Sequence, residues 1–320
     1  MALVLLRDEV EALLDLDQAM ALAAEAMAED AAGRVVAIPP RHDDVPGGVL
    51  RTVSGAMLGD RQLGVRLGLI NGLSSPSVGL LYDLAAGDLL AVMAHPFGRL
   101  RTGAVMGVAL RLLAREDARV VGLLGTGANA LSLLQAACHV RPVERVSAYS
   151  RNPERRARFA ATATAALGVP VEAVAAPAAA TQDADVVYVA TDSPEPVIHA
   201  DDVAPGTLVA SMGEHSELDP LVYLAADLVV VGTKAHEEHF FKVGAVRHQL
   251  LELVVGGQLA WNAVRELGEV IAGQAPGRTS AGQTIVFKES QGGFIDTAYA
   301  SWVYAQARAR GLGREWDPVW

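Results

Sequence analysis

Gly125, Gly127 and Ala130 stand in the string Gly-Thr-Gly-Ala-Asn-Ala, directly after the apolar run Val120–Leu124. A helix-like stretch follows, and then Arg-Val-Ser-Ala-Tyr-Ser-Arg at 145–151. This is the order of parts in a dinucleotide-binding βαβ unit. The glycines allow a tight turn and close backbone approach, and Ala130 is small enough for the helix to pack on the strand. A pyrophosphate then sits on the helix N-terminus, where unpaired N–H groups and the helix dipole favour an anion. The string alone is common in an Ala/Gly-rich chain; the flanking strand, helix and second strand carry the assignment. Gly125, Thr126, Gly127, Ala128, Asn129 and Ala130 are therefore candidate cofactor-binding residues.

The second strand, 146–149, bears on which nucleotide binds. A chain that prefers NAD usually ends this strand in Asp or Glu, which accepts hydrogen bonds from the adenosine ribose. Here the end is Ser150-Arg151-Asn152, with Arg155 and Arg156 one helical turn on. No carboxylate stands there to repel a 2′-phosphate, and a guanidinium fork suits one. The spacing predicts NADP(H), with NAD(H) as the alternative and a solvated helix start as the plain explanation of the arginines.

Other reactive residues offer less. His236-Glu237-Glu238-His239 places histidines at i and i+3 and lacks the i, i+4 pair of a zinc-protease helix. With Cys138 the single cysteine, the sequence predicts no metal site and no intrachain disulfide. Asp192, Glu195 and His199 fall near the end of a later strand and are candidates to border the cofactor.

The elements that must position these residues follow from pattern. At 320 residues and 51% hydrophobic content, the chain exceeds one comfortable core, and two domains are expected. A net charge of −11 argues against nucleic acid or an anionic membrane as partner. Arg7, Asp8 and Glu9 interrupt the apolar start too early for a signal segment, and no apolar run approaches the roughly 20 residues of a spanning helix. A cytoplasmic protein is expected. Residues 8–32 read as an opening helical layer with Asp17 as N-cap. After Pro39-Pro40, segments 49–53, 63–70, 78–83 and 88–93 read as an antiparallel sheet. A helix over 102–115 leads into strands at 120–124, 146–149, 169–173, 186–190, 208–211 and 228–231, alternating with helices: an α/β, doubly wound parallel sheet. A last helix is expected over about 294–310.

The chain as a whole resembles the ornithine cyclodeaminase and μ-crystallin family. The resemblance rests on Arg101-Thr102-Gly103-Ala104, Leu113-Ala114-Arg115, the glycine string, Tyr149-Ser150-Arg151, Asp185-Val186-Val187 with Ala190-Thr191, and Glu217-Leu218-Asp219. Glu266 to Val270, Gly273, Gly277-Arg278, and Phe287 with Ser290-x-Gly292 and Asp296 complete it. It implies a Rossmann-type domain at 118–293, inserted into an α+β substrate and dimerisation domain at 1–117 plus 294–320, and a homodimer. It further implies that arginines hold a substrate carboxylate, Arg101 and Arg41 matching two of them, and that Thr102, Thr191, Met212, Ser290 and Gly292 join Ser150, Arg151, Asn152 and Arg156 at the cofactor.

Two departures from the family shape the functional expectation. Where the family commonly has lysine in Gly-x-Lys, this chain has Gly64-Val65-Arg66. Arg66 can bind a carboxylate but cannot give up its proton near neutrality or form a Schiff base. Arginine-biased composition explains it equally well, with 23 of 26 basic residues being Arg. Second, the aspartate that serves proton transfer in cyclodeaminases has no counterpart in the short loop Ser211 to Ser216. His215, whose ordinary pKa of roughly 6.5 lies near working pH, is the first replacement and Glu214 the second. The expected activity is NAD(P)-dependent reduction of a carboxylated imine to an amino acid, or the reverse. A cyclodeaminase that retains its NAD, and a non-catalytic NADP(H)-binding protein, are the alternatives.

Overall fold

A computed structural model describes residues 1–71, 76–94, 97–213, 215–243, 248–289 and 292–317. The chain divides into two compact units, Met1–Ala104 with Gln291–Trp320, and Val105–Ser290. The division falls inside the helix Phe97–Leu113.

In the first unit, β1 (Ala2–Leu5), β2 (Val35–Val45), β3 (Gly48–Met57), β4 (Gln62–Ile70), β5 (Ser77–Asp83) and β6 (Leu89–Ala94) form one sheet with the closing strand Arg314–Trp316. The order is Arg314–Trp316, β1, β6, β5, β4, β3, β2. β2 to β6 are an antiparallel meander, whereas β1 joins β6 in parallel, so the sheet is mixed. The strand at 35–45 was hidden in the sequence by Pro39-Pro40. Proline lacks the ladder N–H and is confined to edges and bulges, and β2 is an edge strand whose register shifts between Ile38 and Arg41.

That shift exchanges faces. Arg41 pairs with Thr52 and through it with Leu67, while His42 pairs with Arg51 on the face that carries Arg66. This inner face packs on the helix Gly293–Arg310. Side chains at Gly55 and Gly64 would run into Phe294 and Thr297, and in their absence Thr297 donates to the Gly55 carbonyl (2.8 Å) and accepts from the Gly64 N–H (3.1 Å). The opening helical layer is two helices, Arg7–Glu11 and Leu16–Ala31. The cap of the second is Asp15, accepting from the Gln18 N–H, and not Asp17, which lies within its first turn.

In the second unit, β7 (Val120–Leu124), β8 (Arg145–Tyr149), β9 (Val171–Ala173), β10 (Val186–Val189), β11 (Leu208–Ser211), β12 (Leu228–Val231), β13 (Arg265–Glu266) and β14 (Ile285–Lys288) form a wholly parallel sheet. The order is β13, β12, β14, β11, β10, β7, β8, β9. Val121, Leu123 and Leu124 of β7 and the valines and leucines of β10, β11 and β14 are buried, as a sheet covered on both faces requires. No helix among the described residues is long and apolar enough to cross a membrane.

Candidate active site

The glycine string leaves the carboxyl end of β7 and enters the helix Ala130–Val140. Gly125 has φ of +102°, and a side chain there would collide with the Ala190 carbonyl after β10. Around Gly127 there is open space. A cavity of about 500 Å³ lies at these strand ends, where the crevice of an open α/β sheet binds its ligand. Its walls include Gly125 to Asn129, Ser150 to Asn152, Arg155, and the segments 190–193 and 212–213. Thr126 Oγ1 donates to Ser150 Oγ at 2.9 Å, tying the glycine loop to the end of β8. Asn152 caps the helix Pro153–Leu167, and its side chain accepts from the Arg155 N–H. These residues fit a dinucleotide: a glycine turn free of side chains, a helix N-terminus, and guanidinium groups at the end of β8.

The other predicted cofactor residues are placed differently. Ala130 is buried behind the loop. Arg156 donates to the Ser150 carbonyl and lies over the Tyr149 ring, whereas Arg155 is among the cavity walls. Arg151 is exposed, 3.9 Å from Asp192. Of the three acid and histidine candidates near β10, Asp192 lines the cavity; Glu195 and His199 are absent from its walls, and His199 faces Asp219. Thr191 lines the cavity too, but its hydroxyl donates to Glu217. Thr102 and Gly292 belong to the first unit, where Thr102 bonds the Gly98 carbonyl and Gly292 caps the helix Gly293–Arg310. Ser290 lies outside the described residues, as does Glu214.

Beneath the cavity floor is a buried charged network. Glu217 is fully buried. Its Oε1 accepts from Ser211 Oγ (2.7 Å) and the Gly213 N–H (2.8 Å), and its Oε2 from the Thr191 N–H (3.0 Å) and Oγ1 (2.9 Å). Lys288, also buried, donates to Ser211 Oγ (3.1 Å) and the Gly213 carbonyl (2.8 Å). Burial raises the Glu217 pKa, and Lys288, the Ser211 hydroxyl and the two Thr191 donors oppose that rise. The network was not expected from sequence, since Lys288 drew no attention and Glu217 stood only as part of a motif.

His215 leaves the same loop in another direction. Its ring stacks on His248 at 4.2 Å with planes 16° apart, and Glu237 Oε2 lies 3.7 Å from His215 Nδ1 and 2.8 Å from His248 Nε2. These three ligand atoms lie within 4.8 Å of one another. The rings do not suit a shared ion, because lone pairs lie in the ring planes and nearly parallel planes do not converge. His248 Nδ1 moreover accepts from the Leu251 N–H, whereas a metal-ligating imidazole donates from its second nitrogen. Burial, then Lys288 and His248, lower the His215 pKa to about 2, so His215 is uncharged at neutral pH.

In the first unit, Arg66, Arg101 and Asp296 form a second buried cluster. Arg101 Nη1 bonds Asp296 Oδ2 at 2.8 Å, and Arg66 Nε lies 3.5 Å from the same oxygen. All three side chains are over nine-tenths buried. Arg66 Nη2 has no hydrogen-bond partner among the described residues. Burial lowers the Arg66 pKa; Arg101 adds to this and Asp296 opposes it. Arg41 is not brought here: it is exposed, paired with Asp43, and on the opposite face of the sheet.

A doubly wound parallel sheet with a glycine turn at the switch point defines a dinucleotide-binding protein. The profile of the ornithine cyclodeaminase/mu-crystallin family matches residues 1–311, and the chain belongs to that family. The iminosuccinate reductase of Paracoccus denitrificans is 31% identical over 76% of this chain and 72% of its own length. The structure of Thermococcus litoralis Delta(1)-pyrroline-2-carboxylate reductase in complex with NADH and L-proline is 26% identical, with a TM-score of 0.87 over 98% of this chain and all of that one. An archaeal alanine dehydrogenase dimer with bound NAD is 27% identical, with a TM-score of 0.86 over 99% of both chains.

Proposed function

We propose that the protein is an NAD(P)-dependent oxidoreductase that reduces a carboxylated imine to an amino acid, or runs the reverse reaction. The observation that carries the substrate class is Arg66, buried beside Arg101 and Asp296 with its Nη2 lacking a hydrogen-bond partner among the described residues, a guanidinium donor suited to a substrate carboxylate. The relatives described above, an iminosuccinate reductase and a proline-bound pyrroline-2-carboxylate reductase, act on or hold ligands of this class. Gly125 to Asn129 and the end of β8 would hold the dinucleotide, which supplies the hydride when bound. Arg66 and Arg101 fix the carboxylate and with it the imine carbon, so that transfer is a matter of orientation.

The proton on nitrogen is the remaining requirement. His215 is uncharged at neutral pH and cannot serve as an imidazolium donor there. We assign the proton to the substrate, which enters as its iminium ion, the better hydride acceptor. Among the described residues of the loop 211–217, the only carboxylate is Glu217, and its four donors occupy it. Cyclodeamination, whose family aspartate has no counterpart in this loop, is the second reading, and cofactor binding without chemistry the third.

NADPH is the preferred cofactor and NADH an alternative, because Arg151 and Arg155 flank a cavity edge at the end of β8 that bears no carboxylate of its own. The outer face of the first unit's sheet exposes Val36, Ile38, Leu50, Leu69 and Val78, each by more than a third, and a second copy covering them makes a homodimer. Light scattering at the mass of one 33.5 kDa chain would remove that dimer. The activity is tested by absorbance at 340 nm with NADPH and a panel of cyclic and open 2-imino acids. Stoichiometric cofactor consumption is expected. Ammonia release from ornithine without net consumption supports the cyclodeaminase, and tight NADPH binding with neither reaction supports the non-catalytic reading.

A further inference from the structure

We propose that Glu217 is a positioning residue for the nicotinamide half of the cofactor, acting through the two loops it ties together. This rests on the dinucleotide reading above. The loops after β10 and β11 form one side of the cavity, through segments 190–193 and 212–213. In the sheet they lie on one side of β7, and β8, whose end meets the adenosine ribose, lies on the other. The β10 and β11 side is thus left for the nicotinamide.

One carboxylate joins the two loops. Oε2 takes both donors of Thr191, after β10, and Oε1 takes Ser211 and Gly213, at the end of β11. The approach is close enough that a side chain at Gly213 would collide with Thr191 and Glu217. Lys288, at the end of β14, supplies the countercharge through Ser211 and the Gly213 carbonyl. The pair is a brace: it fixes the spacing of two backbone segments that line the cavity and presents no free acid or base of its own.

The test compares NADH with ADP, a fragment that reaches only the adenosine side. Glu217→Gln keeps the shape but turns an amide NH₂ toward two of the four donors and removes the negative charge that Lys288 stabilises. By titration calorimetry, the NADH dissociation constant should rise about tenfold or more, while that of ADP stays within about twofold. Thr191→Val removes the hydroxyl that donates to Glu217 and accepts from the Ser193 N–H, and keeps the backbone bond to Glu217; about a threefold loss for NADH and none for ADP is expected, and this variant decides the matter if Glu217→Gln does not fold. Equal weakening of NADH and ADP, or no change in either, would overturn the positioning role. Failure of the unmodified protein to bind both ligands would overturn the dinucleotide reading itself, and this proposal with it.

Discussion

Asp296 and Glu217 are both buried carboxylates, one in each unit, and they are balanced in opposite ways. Glu217 meets four hydrogen-bond donors and one lysine, so its charge is matched and its lone pairs are used. Asp296 meets two guanidinium groups, and one of them, Arg66, keeps its Nη2 without a hydrogen-bond partner among the described residues. Burying a charge is costly unless it is paired. A matched cluster can serve as scaffold alone. One that keeps an unused guanidinium donor gains further from an anionic ligand. On the function proposed above, the difference separates a part that shapes the pocket from a part that recognises the substrate.

The largest effect should come from breaking the Asp296 cluster. Arg101→Ala removes the shorter of the two arginine contacts to Asp296. Truncating one partner of a buried, hydrogen-bonded charge pair with a ligand costs about 2–5 kcal/mol of binding, which corresponds to roughly 30- to 5,000-fold in kcat/KM for a carboxylated imine. NADPH binding, measured by calorimetry, should stay within about twofold of the unmodified protein. If both fall together, Arg101 supports the fold and has no selective part in recognising substrate.

A middle-sized effect sharpens the matched side. Lys288 helps hold the His215 pKa at about 2, behind burial and ahead of His248. The unfolded chain takes up this proton near the ordinary value of about 6.5, whereas the native protein takes it up only near 2. Between these values the unfolded state binds more protons. Stability therefore holds above pH 6.5 and falls as the pH drops below it, by at most about 1.4 kcal/mol per pH unit for one group. In urea midpoints taken from pH 7.5 to 5, His215→Gln should flatten this slope whatever it does to the absolute stability. Parallel curves for the two proteins would show that His215 titrates normally.

How much of this was legible in the sequence depends on how local the signal is. β7 to β12 were readable because parallel strands buried on both faces are apolar runs punctuated by glycine, and the turn at Gly125 needs a residue that tolerates φ of +102°. β2 was not, because two prolines resemble a break until a bulge at an edge accommodates them. The same bulge reversed the face of Arg41, which residue type alone cannot reveal. Arg66 and Arg101 stood out in the sequence as candidate carboxylate ligands, yet their shared contact with Asp296 was not legible, since it joins a strand, a helix start and a distant C-terminal helix. The Glu217 network was equally hidden. Its partners come from the ends of three strands, and only the order β14, β11, β10 brings them together.

The smallest effect concerns a third acid–arginine pair, exposed where the other two are buried. Arg151 and Asp192 face each other at 3.9 Å on the cavity wall, with side chains 80% and 95% exposed. An ion pair so exposed contributes about 0–1 kcal/mol to the fold, so Arg151 is free to leave Asp192 for a stronger partner. A 2′-phosphate is such a partner, through charge-assisted hydrogen bonds worth about 1.5 kcal/mol at an exposed site, or roughly tenfold in affinity. NADPH should therefore bind about tenfold more tightly than NADH, and Arg151→Ala should bring the two dissociation constants together with no change in thermal midpoint. Asp192→Ala should widen the preference, because it removes the carboxylate that competes with the phosphate for the same guanidinium. Equal affinity for both cofactors in the unmodified protein would mean that the arginines at the end of β8 are an ordinary solvated helix start.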